Sequence, residues 1–151
     1  MKISIAVLSF FVLCACAQDG PNIKQIENMQ FFIDNKKNNE IIEIEPGLQY
    51  YVVENGDPSG STPSLNNTIS AHFHGTLTNG EVFWSSVDSD PLKIELSKLI
   101  VGCQKTISLM KEGDKRVVYI DPTMAYGEEG RPGIPSNSIL IFEIELLKIL
   151  S

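Results

Sequence analysis

The sequence has few basic residues, and this shortage narrows its possible partners. Its 12 Lys and Arg are outnumbered by 19 Asp and Glu, which gives a net charge of −7 at pH 7. Nucleic-acid phosphates require clustered cations, so this acidic balance argues against a nucleic-acid partner. The chain also lacks repeats, heptads and low-complexity tracts. Its 151 residues suit a single domain with a short terminal segment.

Histidines are also scarce, which limits the number of possible metal ligands. The chain has two, both in the stretch His72-Phe73-His74. A His-x-His pair on one face of a strand can chelate a metal, but a site needs a third and a fourth ligand. No Cys or further His lies nearby in the sequence. We therefore predict no metal and no cofactor, and expect both histidines to face solvent.

No apolar run is long enough to span a bilayer as a helix, which takes about 20 residues. The longest N-terminal run, residues 3–13, has the length of a signal-peptide apolar region. It ends in Leu13-Cys14-Ala15-Cys16, which resembles the bacterial lipobox because a small residue precedes Cys16. We predict a lipoprotein signal over residues 1–15, a lipid anchor at Cys16 and a tether over residues 16–22. A plain secretory signal is the alternative.

Lipidation would hold the protein at the cell envelope, on the periplasmic or outer-membrane side. It would also leave Cys103 as the last free cysteine, so no internal disulfide is possible. The apolar positions Ile100, Cys103, Ile107 and Met110 are spaced as one face of a short helix. This spacing predicts that Cys103 is buried, with Gly113 ending the helix.

A helix is also predicted over residues 23–39. Asn22 and Gln25 have the spacing of a capping box at its start. The predicted role of this helix is packing or spacing. Its apolar positions form a near-helical stripe: Ile23, Ile26, Met29, Phe32 and Ile33.

The remainder, residues 40–151, is predicted to be one domain of five or six strands around the short helix. Strand segments include LQYYVVE, TISAHFHG and ILIFEIELLKIL, which are rich in β-branched and aromatic residues. Asn79-Gly80 predicts a two-residue type I′ hairpin turn, which needs φ > 0 at both positions. Consecutive strands joined by hairpins indicate an antiparallel sheet and an α+β class. Catalytic residues are not evident: there is no Ser-His-Asp arrangement and no isolated carboxylate pair.

Several segments in this domain resemble the FK506-binding-protein (FKBP) family of peptidyl-prolyl cis–trans isomerases. They are GLQYYVVENGDP, HFHGTLTNGEVFWSS, PLKIEL, LIVGCQKTISLMKEGDK, YIDPTMAYGEEG and IPSNSILIFEIELL. The similarity is greatest to the bacterial cell-envelope form, which has a helical lead-in. It implies an antiparallel sheet wrapped around a short helix. It also implies rotation about X-Pro bonds, whose amide barrier is about 18–20 kcal/mol.

The resemblance further implies a set of site residues. Transfer by motif gives the catalytic positions Phe73, Phe83, Trp84, Tyr126 and Phe142. It gives the substrate-binding positions Leu99, Ile100, Cys103 and Ile134. An apolar pocket would favour the twisted imide over the more polar planar one, so no acid or base is required. Tyr126 would offer its hydroxyl to a substrate carbonyl.

Three of these positions depart from the family pattern, which has Tyr at Phe73, Asp at Trp84 and Trp at Cys103. The family Tyr and Asp are hydrogen-bond partners, so losing both avoids leaving one buried polar group unpaired. Two functions therefore stay open. The first is an isomerase that assists folding of exported proteins by acting on proline-containing polypeptides, with reduced or retuned activity. The second is an isomerase-like binding module, of which lipoproteins associated with gliding motility are one form.

Overall fold

The computed structural model describes residues 20–151, so the predicted signal peptide, Cys16 and most of the predicted tether lie outside the described residues. The described chain has two α-helices and seven β-strands. They are α1 Ile23–Asn35, β1 Ile42–Glu45, β2 Leu48–Glu54, β3 Thr68–Leu77, β4 Val82–Ser85, β5 Leu92–Glu95, α2 Val101–Ile107, β6 Lys115–Ile120 and β7 Leu140–Ile149. The predicted α+β class is confirmed.

All seven strands form one antiparallel sheet in the order β1-β2-β6-β7-β3-β4, and β5 pairs with β3. The prediction of five or six strands fell short because it left out the four-residue β1. Strands β3 and β7, ten residues each, form the centre of the sheet. Their side chains alternate between the core and the outer face, as the period of a strand requires. Ser70 breaks this alternation: it is buried at an irregularity in the pairing.

Helix α2 contributes Cys103 and Ile107 to the same core as the inner face of the sheet. A side chain at Gly102 would place its Cβ 2.4 Å from Cγ2 of Ile120, so this glycine permits close approach of α2 to β6. The predicted burial of Cys103 is confirmed. The predicted end at Gly113 is wrong: α2 ends at Ile107, and Gly113 occupies a later turn with φ 88°.

The hairpin between β3 and β4 differs from the predicted type I′ turn. Gly80 has a positive φ of 85°, but Asn79 does not. The Gly80 N–H donates to the Leu77 carbonyl at 2.9 Å, and the Leu77 N–H donates to Glu81 at 2.9 Å. The turn is therefore a three-residue loop that ends with Gly80 in the left-handed region. Unlike the type I′ turn, this loop needs φ > 0 only at the glycine.

Helix α1 begins with the predicted capping box. The Gln25 N–H donates to Asn22 Oδ1 at 2.9 Å, and the Asn22 N–H donates to Gln25 Oε1 at 2.9 Å. The helix ends at Asn35, four residues before the predicted end, because the chain turns at residues 36–40. Within residues 20–151 no helix has the length and apolar character needed to cross a membrane.

Four of the five residues in the apolar stripe of α1 face away from the domain; only Phe32 is buried. Ile23, Ile26, Met29 and Ile33 are 53 to 78% exposed. The side of the helix that contacts the domain carries two asparagines and two aromatic residues, Phe31 and Phe32. The Phe31 ring lies 5.9 Å from the ring of Tyr119 on β6.

This docked side is held by polar contacts. Asn28 Nδ2 donates to the Asn137 carbonyl at 3.0 Å, and Asn35 Nδ2 donates to Gln49 Oε1 at 3.0 Å. Gln49, fully buried on β2, also donates to the Phe32 carbonyl at 3.1 Å. Buried amides must be hydrogen-bonded, so these pairs select one face of the helix over the other.

Candidate active site

A cavity of about 520 Å³ opens between the sheet, α2 and the loop that precedes β7. All nine residues predicted as catalytic or substrate-binding lie along its wall, although their roles in binding stay a prediction. The full lining is Phe73, Phe83, Trp84, Leu92, Ile94, Lys98, Leu99, Ile100, Cys103, Tyr126, Arg131, Pro132, Ile134 and Phe142.

Strand β4 contributes two consecutive residues to this wall, which a regular strand would not allow. The pairing of β3 with β4 shifts from Gly75–Trp84 to Thr76–Val82, which leaves Phe83 as the extra residue of a bulge. A bulge re-aims side chains in this way. Phe83 and Trp84 therefore both line the cavity.

Gly75 leaves room for two aromatic rings of the cavity wall, a role that the sequence did not reveal. A Cβ there would lie 2.5 Å from Cζ of Phe83 and 2.8 Å from Cε1 of Phe142. Because glycine leaves this space empty, the two rings meet over its backbone at a centroid distance of 5.4 Å and an interplanar angle of 88°. Edge-to-face packing of this kind is favourable for aromatic pairs.

The two positions that depart together from the family pattern contact each other. The Phe73 and Trp84 rings are 5.9 Å apart, and Phe73 also meets Phe142 edge-on at 6.3 Å. Phe73 is buried, while Trp84 is 40% exposed at the cavity mouth. An aromatic pair thus occupies the place where the resemblance would put a hydrogen-bonded Tyr and Asp.

Cys103 lies at the cavity floor on α2 and is buried. Desolvation raises the pKa of its thiol to about 12, so the group stays neutral at physiological pH. A neutral thiol is a small apolar surface rather than a nucleophile. The lining has no carboxylate, so its chemistry suits an apolar ring better than acid–base catalysis.

Tyr126 carries the hydroxyl on this wall that the resemblance assigns to a substrate carbonyl. Arg131 Nη1 donates to this hydroxyl at 2.8 Å, and the guanidinium carbon lies 4.8 Å from the ring centroid. A phenol can accept one hydrogen bond and still donate its own proton. The hydroxyl therefore remains able to donate to a ligand.

Five lining residues were missed at the sequence level: Leu92, Ile94, Lys98, Arg131 and Pro132. The alternation of Leu92 and Ile94 on β5 was a usable signal for the first two. Arg131 and Pro132 belong to GEEGRPG, part of the loop that precedes β7. Loop side chains have no periodicity, so no pattern could place them on the wall.

The two histidines lie on the outer face of β3, away from the cavity. Their Nδ1 atoms meet serine hydroxyls, His72 with Ser86 at 3.2 Å and His74 with Ser85 at 3.0 Å. Both rings are only half-buried. Across residues 20–151, no three His, Cys, Asp or Glu side chains are grouped to hold a metal ion.

The fold and this apolar cavity define a class of protein that comparison with known proteins identifies. A model of the FKBP-type peptidyl-prolyl cis–trans isomerase family matches residues 59–147, more than half of the chain. The chain belongs to this family.

Two relatives with similar sequences are bacterial isomerases. The FKBP-type isomerase FkpA of Aeromonas hydrophila is 36% identical over 126 residues, covering 83% of this chain and 46% of the relative. The isomerase Mip of Chlamydia trachomatis is 40% identical over 121 residues, covering 79% of this chain and 48% of the relative. The chain thus spans about half the length of these curated relatives.

Solved structures agree with the fold. The crystal structure of FkpA from Escherichia coli superposes with a TM-score of 0.77 at 33% identity, covering 83% of this chain and 59% of that one. A peptidyl-prolyl isomerase from Pseudomonas syringae gives a TM-score of 0.79 at 26% identity, covering 88% of this chain and 98% of that one.

Proposed function

We propose that this protein is a peptidyl-prolyl cis–trans isomerase that accelerates rotation about X-Pro bonds in exported polypeptides. The observation that carries the proposal is the apolar cavity, because all nine residues given by the family motifs line it. Uncatalysed rotation takes tens of seconds or more at 25 °C. Stripping water from the imide lowers the preference for its planar form without any bond being broken.

The test is isomerisation of a short X-Pro peptide, measured by NMR exchange on the purified chain. Leu99→Glu places a charge in the apolar wall, and we expect kcat/KM to fall at least about tenfold because that carboxylate would be desolvated by the ligand. Leu109→Glu is the matched control, since Leu109 is exposed and does not line the cavity. Equal activity in both variants would show that isomerisation does not take place in the cavity.

We further propose that activity is lower than the family norm, because Phe73, Trp84 and Cys103 replace the family residues. The 5.9 Å contact of Phe73 with Trp84 supports a remodelled wall. The triple reversion Phe73→Tyr, Trp84→Asp, Cys103→Trp separates two functions. A large gain on reversion favours a binding module with weak catalysis, whereas high activity beforehand favours the isomerase.

Retention at the cell envelope through Cys16 is also a proposal, supported by the lipobox-like Leu13-Cys14-Ala15-Cys16. A thioether-linked lipid with N-terminal acylation supplies several chains, enough for stable anchoring. Incorporation of radioactive fatty acid into the chain, and its loss in Cys16→Ala, is the expected result. Labelling that persists in Cys16→Ala would place the lipid elsewhere.

A further inference from the structure

The cavity mouth carries two cations and no carboxylate, although the protein is acidic. Lys98 and Arg131 both line the cavity, and among residues 20–151 no Asp or Glu does. The whole chain has a net charge of −7. The entrance to the cavity therefore has a local excess of positive charge, although the protein as a whole is negatively charged.

Most other cations in the described chain are neutralised by a neighbour. Seven side chains form salt bridges within 4.0 Å: Lys24, Lys36, Lys37, Lys105, Lys115, Arg116 and Lys148. Within residues 20–151, no carboxylate lies that close to Lys98 or Arg131. Their charges are available to a ligand.

Backbone geometry holds Arg131 in place. The Arg131 N–H donates to the Ile134 carbonyl at 2.9 Å, and the Ile134 N–H donates to the Arg131 carbonyl at 2.8 Å. Pro132 and Gly133, with φ 83°, complete this tight turn. The guanidinium is then fixed over Tyr126 by the ring contact and the 2.8 Å hydrogen bond.

We propose that Lys98 and Arg131 make the pocket selective for proline flanked by an acidic residue. This rests on the proposed function, since it names the substrates of the same cavity. A carboxylate beside the bound proline ring would meet both cations at the entrance. A lysine there would meet like charge. Arg131 can also offer more than one N–H to a carboxylate while it contacts Tyr126.

The size of the effect follows from the exposure of both cations. Exposed ion pairs are weak and screened by salt, so we expect a Glu peptide to exceed its Lys counterpart by about 3- to 10-fold in kcat/KM at low salt. The ratio should fall below about 2-fold near 0.5 M salt, where the screening length approaches a few ångströms.

The experiment compares peptides with Glu, Gln or Lys immediately before the proline, and a second set with the same residues immediately after it. NMR exchange gives kcat/KM and titration gives Kd on the purified chain. A Glu preference in either set supports the proposal. Equal values for Glu and Lys in both sets, or a preference for Lys, would overturn it.

One charge-removing double variant and one control assign the effect. In Lys98→Gln with Arg131→Gln the Glu-to-Lys ratio should approach one, whatever happens to the absolute rate. Lys93→Gln should keep the ratio, because Lys93 is an exposed cation on β5 outside the cavity lining. A ratio that survives in the double variant would contradict the assignment. If no peptide is isomerised, the proposed catalysis fails, but Kd still reports the charge preference.

Discussion

Strand β7 and helix α1 carry equally regular apolar patterns, but only one pattern marks a buried face. In β7, Leu140, Phe142, Ile144 and Leu146 are all buried. They alternate with less buried residues, namely Ile141, Glu143, Glu145 and Leu147. In α1, four of the five residues of the stripe are mostly exposed. The comparison shows that periodicity predicts the presence of a helix or strand. The direction of its apolar face depends on the contacts that neighbouring elements make with it.

The neighbours of the two elements differ in kind. Strand β7 pairs with β3 on one side and β6 on the other, so its register determines the face of every side chain. Helix α1 has no such ladder and is oriented by a few contacts. Asn28, Phe32 and Asn35 meet the domain on one side, which leaves the stripe on the other.

The largest expected effect is in the core. Ile144→Ala deletes a fully buried side chain between Phe73 and Arg116 and should lower the free energy of unfolding by about 2–5 kcal/mol. Urea denaturation measures it. If the free energy of unfolding fell by less than about 1 kcal/mol, the alternating pattern of β7 would not indicate which of its side chains stabilise the core.

The next effect tests how α1 is docked. Gln49→Leu keeps most of the side-chain volume but removes the bonds to Asn35, Glu43 and the Phe32 carbonyl. Unpaired buried groups cost about 1–3 kcal/mol, so α1 should detach and its amides should exchange faster. Hydrogen exchange over residues 23–35 measures this.

Exchange in β7 serves as the internal control for Gln49→Leu and should change less than exchange in α1. If α1 stays protected in the variant, apolar contact and not the amide network holds the helix.

A smaller effect depends on pH. The Lys36 ammonium, and then the Gln49 amide, hold the pKa of Glu43 below its ordinary value of 4.5. Because the folded pKa is the lower one, the carboxylate stabilises the docked helix above pH 4.5. This contribution is lost as the pH falls through the folded pKa. Protection factors of the α1 amides, which correct for the intrinsic slowing of exchange in acid, should therefore fall on acidification below pH 4.5.

Two variants check the assignment to Glu43. Glu43→Gln should remove this part of the pH dependence. Glu40→Gln should preserve it, because Glu40 lies on the same segment and makes no salt bridge with residues 20–151. The same pH dependence in both variants would assign the effect to another group.

The smallest effect on stability is expected for substitutions in the exposed apolar stripe of α1. Ile26→Ala and Ile33→Ala should each change the free energy of unfolding by less than about 0.5 kcal/mol, as surface substitutions do. Phe32→Ala, on the docked side of the same helix, should cost more. A loss above about 1.5 kcal/mol for either isoleucine would show that the stripe is covered in solution.

Much of the pocket was predictable, but only through motif resemblance. The motifs gave Phe73 and Phe142 from strands as well as Tyr126 and Ile134 from loops. Phe83 and Trp84 lie on the same wall because of the bulge opposite Gly75. No local sequence pattern predicts this bulge. The cations of the mouth, Lys98 and Arg131, were missed because exposed side chains carry no burial signal.

The sequence by itself determined most of the elements, the α+β class, the capping box of α1 and the burial of Cys103. Each depends on local spacing or on a hydrophobic period, which neighbouring residues in the chain set. Tertiary structure alone decided which face of α1 docks, how β4 aims two aromatic rings and where Arg131 meets Tyr126. Those outcomes depend on partners distant in sequence, such as Asn137 for Asn28, and sequence patterns do not encode such pairings.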